Sequence, residues 1–203
     1  NDDVKASAMR ALGDLREGRA IQALTEQFQF YGKGELALAA LDGLARIAHP
    51  SSVPIFQQQL THKDAAMRRV SAEGLARTGQ ASLSLPTLES AATDRDKPAA
   101  LAVAYALQSV GRPALDRLVG ALMDPKLQPQ AMLYLTELGR PVARPLGGYL
   151  QVPDPATRQA VAMVLGVIGG DDALAALERA KADPDTEVAR AAERAIARAR
   201  MAR

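Results

Sequence analysis

The chain has 203 residues, 48% of them apolar but only 3% aromatic, with no Trp and no Cys. That composition belongs to an ordered protein built on Ala, Leu and Val, and it excludes disulfides and thiolate metal sites. Twenty-five Lys and Arg against 23 Asp and Glu leave a net charge of +2, too slight to point to nucleic acid.

Helical periodicity starts at once. Val4, Ala8, Ala11, Leu12 and Leu15 form an apolar stripe on a helix predicted over 3–15. Its far side holds Arg10 and Asp14 but also Ala6, Met9 and Gly13, which leaves room for another element before it. A partner helix follows at 18–31, and the pattern then repeats as pairs: 35–48 with 51–60, 64–78 with 82–92, 97–110 with 113–122, 127–138 with 141–150, and 155–168 with 171–181. The last helix, 185–201, carries the clearest stripe, with Val188, Ala191, Ala192, Ala195, Ile196 and Ala199 on one side and Arg190, Glu193, Arg194 and Arg198 opposite. Asp3, Asp64, Asp96, Asp154 and Asp185 stand where following helices need N-caps. Pro54, Pro86 and Pro145 fall near the starts of second helices, where the first N–H groups lack partners anyway. No stretch alternates as a strand does, so no sheet is expected. No apolar run approaches the roughly 20 residues of a membrane span. The chain opens at Asn1 rather than Met, which suits a processed form or a piece of a longer protein.

These pairs are copies of one unit. The glycines that close the apolar runs, Gly79, Gly111, Gly139 and Gly169, are spaced by 32, 28 and 30 residues. "LDGLARI" at 41–47 returns as "AEGLART" at 72–78, and "RALGDL" at 10–15 returns as "AALDGL" at 39–44. "GRPALDRLVGAL" at 111–122 and "GRPVARPLGGYL" at 139–150 share their opening Gly-Arg-Pro and later Leu and Gly positions. Gly at a helix end and Pro at the next start are chain geometry, so the duplicated piece is a module. A helix pair of this size cannot bury both its sides alone, and neighbours must stack to complete a core.

Units of about 30 residues that end a first helix in "ALG" or "GLAR" and place Pro near the start of the second resemble HEAT repeats. More narrowly they resemble the short bacterial HEAT-like repeats also found in phycobilin lyases. The resemblance spans units 3–31, 35–60, 64–92, 97–122, 127–150 and 155–181 and the capping helix 185–201, as a single repeat domain over 1–203. It implies an all-α, right-handed α-α superhelix of six helix pairs plus a C-terminal cap, with second helices lining a concave, partner-binding surface. It brings no catalytic motif.

Several residues are candidates for contact with a partner. Arg112 and Arg140 occupy the same place in two units, just before a helix start, where a cation is locally unfavourable. They are either a pair placed to hold acidic groups of a partner or exposed turn residues. Arg117, Arg144 and Tyr149 are expected on the outward side of second helices, as anchors for a partner or as ordinary solvated positions. Gln57–Gln59 and the column Arg190, Arg194, Arg198 have the same two readings. His49 and His62, the only histidines, lack companions at zinc-ligand spacing, and the acid pairs Asp94 with Asp96 and Asp171 with Asp172 suit capping. No GxSxG, phosphate-binding glycine loop or Cys nucleophile is present. The function expected is a non-enzymatic scaffold without cofactor or metal, a monomer or part of a larger complex, binding a protein that could be acidic. Nucleic-acid binding and handling of a bilin chromophore are the alternatives.

Overall fold

The computed structural model describes residues 1–201, and these contain thirteen α-helices, short 3-10 turns and no strand. Two compact units divide the chain. The first, Asn1–Ala114, holds α1 (Asp2–Asp14), α2 (Ile21–Tyr31), α3 (Gly34–Ile47), α4 (Val53–Gln59), α5 (Ala65–Arg77), α6 (Leu85–Ala91) and α7 (Lys97–Ser109). The second, from Leu115 onward, holds α8 (Leu115–Ala121), α9 (Gln128–Leu138), α10 (Ala143–Gly148), α11 (Pro155–Ile168), α12 (Gly170–Ala180) and α13 (Thr186–Met201). In chain order these are six pairs and a final single helix. The fold class is therefore the all-α helical-repeat solenoid expected from the periodicity.

Packing runs from neighbour to neighbour. In the first unit α1 lies on α3, α3 on α5 and α5 on α7, while α2, α4 and α6 each lie on the first helix that follows them. In the second unit α11 packs on α13, and α12 lies against both. Missing side chains set the closeness of these contacts. A Cβ added at Gly43 would stand 2.7 Å from the Met9 carbonyl oxygen and 3.1 Å from Leu24, and one at Gly13 would stand 2.7 Å from the Gly43 Cα. Gly166 plays the same part against Ala195, at 2.7 Å. Ala and Gly at such crossings let backbones approach, which is why a core poor in aromatics still closes.

The last helix buries all six stripe residues and leaves Arg190, Glu193, Arg194 and Arg198 exposed, as its pattern requires. The first helix corrects its pattern. Ala6, Met9 and Gly13 are the buried face, while Val4, Ala8, Ala11 and Leu15 are exposed and Leu12 is half-buried. The more apolar side loses because α3 meets the side on which Gly13 permits backbone contact. Periodicity counts apolar residues and does not weigh closeness of approach.

Caps and turns follow the sequence with two differences. Asp64, Asp96, Asp154 and Asp185 accept from the N–H groups of Ala66, Ala99, Thr157 and Glu187 at 2.8–2.9 Å. Asp3 is no cap: it lies inside α1, and Asn1 accepts from its N–H at 3.0 Å. Gly79 and Gly111 take φ of 69° and 77° just past α5 and α7, the left-handed region that excludes most side chains. The two earlier repeats make the corresponding reversal at Arg16 (φ 50°) and Ala48 (φ 58°) without glycine, so the glycine count begins late. Several second helices open with a 3-10 turn, at Pro50–Ser52, Ala81–Ser84 and Arg140–Val142, which shortens α4, α6 and α10 relative to their predicted spans.

Charge ties the repeats together. The "DGLAR" and "EGLAR" motifs place an acid four residues before an Arg: Asp42 pairs with Arg46 at 2.9 Å, and buried Glu73 lies between Arg69 at 2.9 Å and Arg77 at 3.4 Å. A second device links successive units. Arg68 on α5 grips Asp94 through Nε at 2.6 Å and a terminal nitrogen at 2.8 Å, and its other nitrogen donates to the carbonyls of His62 and Lys63. Arg158 on α11 does the same with Asp183, at 2.8 Å through both nitrogens, and with the carbonyls of Val152 and Pro153. In each case one guanidinium closes the preceding loop and holds the loop after it.

Candidate functional site

The surface expected to bind is carried by the second helices, and the residues named for it fall in different surroundings. Arg117 on α8 and Arg144 on α10 are exposed, as expected. Tyr149, in the 3-10 turn that follows α10, is half-buried, and its hydroxyl donates to the carboxylate of Asp116 on α8. Burial, then the hydrogen bond to Asp116, pushes the Tyr149 hydroxyl up to about 12. The bond spans 33 residues and fastens the end of one second helix to its predecessor. Asp116 was not singled out in the sequence. Its sign is its place beside Arg117 in the first turn of α8, in the same module as Tyr149 one repeat later.

The Tyr149–Asp116 contact has a consequence in base. Because the folded pKa lies above the ordinary value of 10.0, stability from this group is present below that value and is lost as pH rises through about 12. Spectroscopic titration should show that Tyr149→Phe removes one tyrosine's amplitude from the step near 12. An amplitude near 12 unchanged by the substitution would contradict the assignment.

Arg112 and Arg140, equivalent in sequence, have different neighbours. Arg112 lies 3.4 Å from Glu89, with both side chains half-exposed. Arg140 is exposed and makes no ion pair among the described residues; its Nε lies 3.3 Å from where a Gly170 Cβ would sit. It lines an open cleft of about 650 Å³ with Ala143, Gly169, Gly170, Asp171 and Asp172. Asp171 and Asp172 belong to the first turn of α12 rather than to a loop, and Gly169 occupies the cap position. Two carboxylates beside Arg140 make the cleft mixed in charge, and Gly170 at φ 83° lets the arginine lie flat on the turn.

The other candidates serve chain geometry. Gln57 donates to the Leu83 carbonyl at 3.4 Å and to Ser84 at 3.2 Å, joining two units. His49 and His62 accept from the N–H groups of Ser51 and Asp64 through Nδ1, at 3.2 and 3.0 Å. Asp94 does not act as a helix cap; it is the partner of Arg68, and Asp96 alone caps. Arg190 pairs with Glu187 at 2.7 Å within the column at the end of the chain. Among the described residues no three His, Cys, Asp or Glu converge as a metal site would require, and no helix is long and apolar enough to cross a membrane.

The sequence matches the pattern of HEAT repeats over residues 32–108 and 112–197, and that of the PBS lyase HEAT-like repeat over 4–29. The chain belongs to the HEAT repeat family. As in HEAT repeats generally, the array is a scaffold for interactions. Among solved structures, human deoxyhypusine hydroxylase in complex with glycerol is 20% identical, with 99% of this chain and 81% of that one covered at a TM-score of 0.42. One engineered protein is 19% identical over 89% of this HEAT chain and 96% of its own, at 0.44. Another is 18% identical over 89% and 98%, at 0.42. Among curated proteins none matches the sequence.

Proposed function

We propose that this HEAT array is a non-enzymatic scaffold that binds a partner protein carrying acidic groups, through the face of α8 and α10. The observation that carries the reading is the Tyr149–Asp116 hydrogen bond, which sets two successive second helices in register while leaving Arg117 and Arg144 exposed. A guanidinium offers a planar fork of donors to a carboxylate, and the half-buried Tyr149 adds a rigid aromatic edge to the same pair of helices.

The test is capture of binding proteins on the immobilised chain, compared with Arg117→Glu/Arg144→Glu. Both positions are exposed, so helicity should be unchanged. A protein bound by the native chain should lose at least about tenfold in affinity to the variant. Equal affinity overturns the choice of surface. Salt-dependent binding of duplex DNA in place of protein overturns the class of partner.

A further inference from the structure

Two open cavities repeat one design, one in each unit. The first, of about 310 Å³, has Leu60 and Ala91 among its walls, with the Arg68–Asp94 clamp beside them. The second, of about 340 Å³, sets Leu150 and Ala180 beside the Arg158–Asp183 clamp. Leu60 and Arg68 stand eight residues apart, as Leu150 and Arg158 do, and both clamp acids stand two residues before the next cap. Each cavity also has a second arginine, and the two come from different places. Arg95 lies in the loop before α7, whereas Arg179 belongs to the last turn of α12. Both are exposed and make no ion pair among the described residues. The acids on either side of Arg95 are engaged, Asp94 by Arg68 and Asp96 by the Ala99 N–H. Glu178, beside Arg179, is held by Lys181 at 2.6 Å and Arg200 at 3.1 Å.

We infer that each cavity is a binding site for one carboxylate on a short aliphatic stem. Two guanidiniums against one carboxylate leave each cavity a single unmatched positive charge. The clamp arginines are engaged by their aspartates and by loop carbonyls, so recognition falls to Arg95 and Arg179. One guanidinium matches the two oxygens of a carboxylate through its fork of donors. A phosphate group brings about −1.5 to −2 charges and would leave part of them unmatched. Leu60 and Leu150, 2% and 3% exposed, give an apolar floor for the methylenes of the stem. Thr87 and Ser90 border the first cavity and Gln151 the second, with further donors for the carboxylate. Volumes of about 300 Å³ stand at the small end of ligand pockets, which suits a group the size of a side chain. The inference uses neither Arg117 nor Arg144, so it stands or falls apart from the α8–α10 face.

The probe is glutamate blocked at both ends, N-acetylated and C-methylamidated, added to the isotope-labelled full chain. Amide shifts should gather at 90–95 and at 179–184 and saturate, while the equally blocked glutamine gives neither set. Arg95→Gln should weaken the first site at least about tenfold and spare the second, and Arg179→Gln should do the reverse. Both side chains are exposed, so neither substitution should lower the melting temperature. Equal shifts with the glutamine probe, a response at one cavity alone, or indifference to both substitutions overturns the inference. So does tighter binding of inorganic phosphate than of the blocked glutamate. Butyrate separates the sources of the carboxylate. Weaker binding than the blocked glutamate assigns it to a partner protein's side chain, tighter binding to a free acid, and either supports the site.

Discussion

Gly43→Ala should destabilise the protein by about 2 kcal/mol, even though alanine is intrinsically the better helix residue by about 1 kcal/mol. The added methyl would stand 2.7 Å from the Met9 carbonyl oxygen, a backbone atom that moves only if α1 moves. It would also stand 3.1 Å from Leu24, so the contacts of both α1 and α2 with α3 would open together. Gly120 on α8 is the control, with nothing within 4 Å of its missing Cβ. There the same substitution should stabilise by up to about 1 kcal/mol. Urea unfolding of both variants checks the pair. A Gly43→Ala protein as stable as the native one would mean that the first helices are not held at backbone contact.

Arg68→Ala should cost about 3 kcal/mol, because it strands a carboxylate that is only 8% exposed and frees two loop carbonyls. Replacing both members with apolar residues, Arg68→Met with Asp94→Leu, should lie closer to the native stability than Arg68→Ala alone. The pair also sets an acid response. Hydrogen bonds from Arg68 hold Asp94 below the ordinary aspartate value of 3.8. A depressed folded pKa means that the stability is present above the ordinary value and is lost as pH falls through the lower one. The difference between the native protein and Arg68→Ala should therefore shrink in acid, and denaturant titrations at several pH values measure it. A constant difference would show that the guanidinium acts through packing alone. Arg158 holds Asp183 down by the same hydrogen bonds, so Arg158→Ala should move stability in the same direction.

The architecture was legible because its signals are local and repeated. Stripes at helical spacing, Gly past helix ends and Asp before helix starts each state one element, and the roughly thirty-residue period states how elements recur. What escaped depends on contacts between repeats. Both clamps have a sequence form, an Arg four residues after a capping Asp (Asp64 and Arg68, Asp154 and Arg158) with another Asp 26 or 25 residues on. That acid stands two residues before the next cap, as Asp94 does before Asp96 and Asp183 before Asp185, where it cannot be told by spacing from part of the cap itself. The buried side of α1 escaped for a related reason, since Gly13 counts for nothing in an apolar tally and decides the crossing. On the candidate surface, exposure of Arg117 and Arg144 could be read from helical phase. The tie between Tyr149 and Asp116 could not, because it joins two repeats.

Hydrogen exchange of the native protein and Arg68→Ala tests the central claim, that each helix pair is stabilised chiefly by the next. Protection should fall most in α5, α6 and α7, less in α3 and least in α1, since a repeat array passes strain from neighbour to neighbour. An equal loss at every helix of the first unit, α1 included, would contradict it.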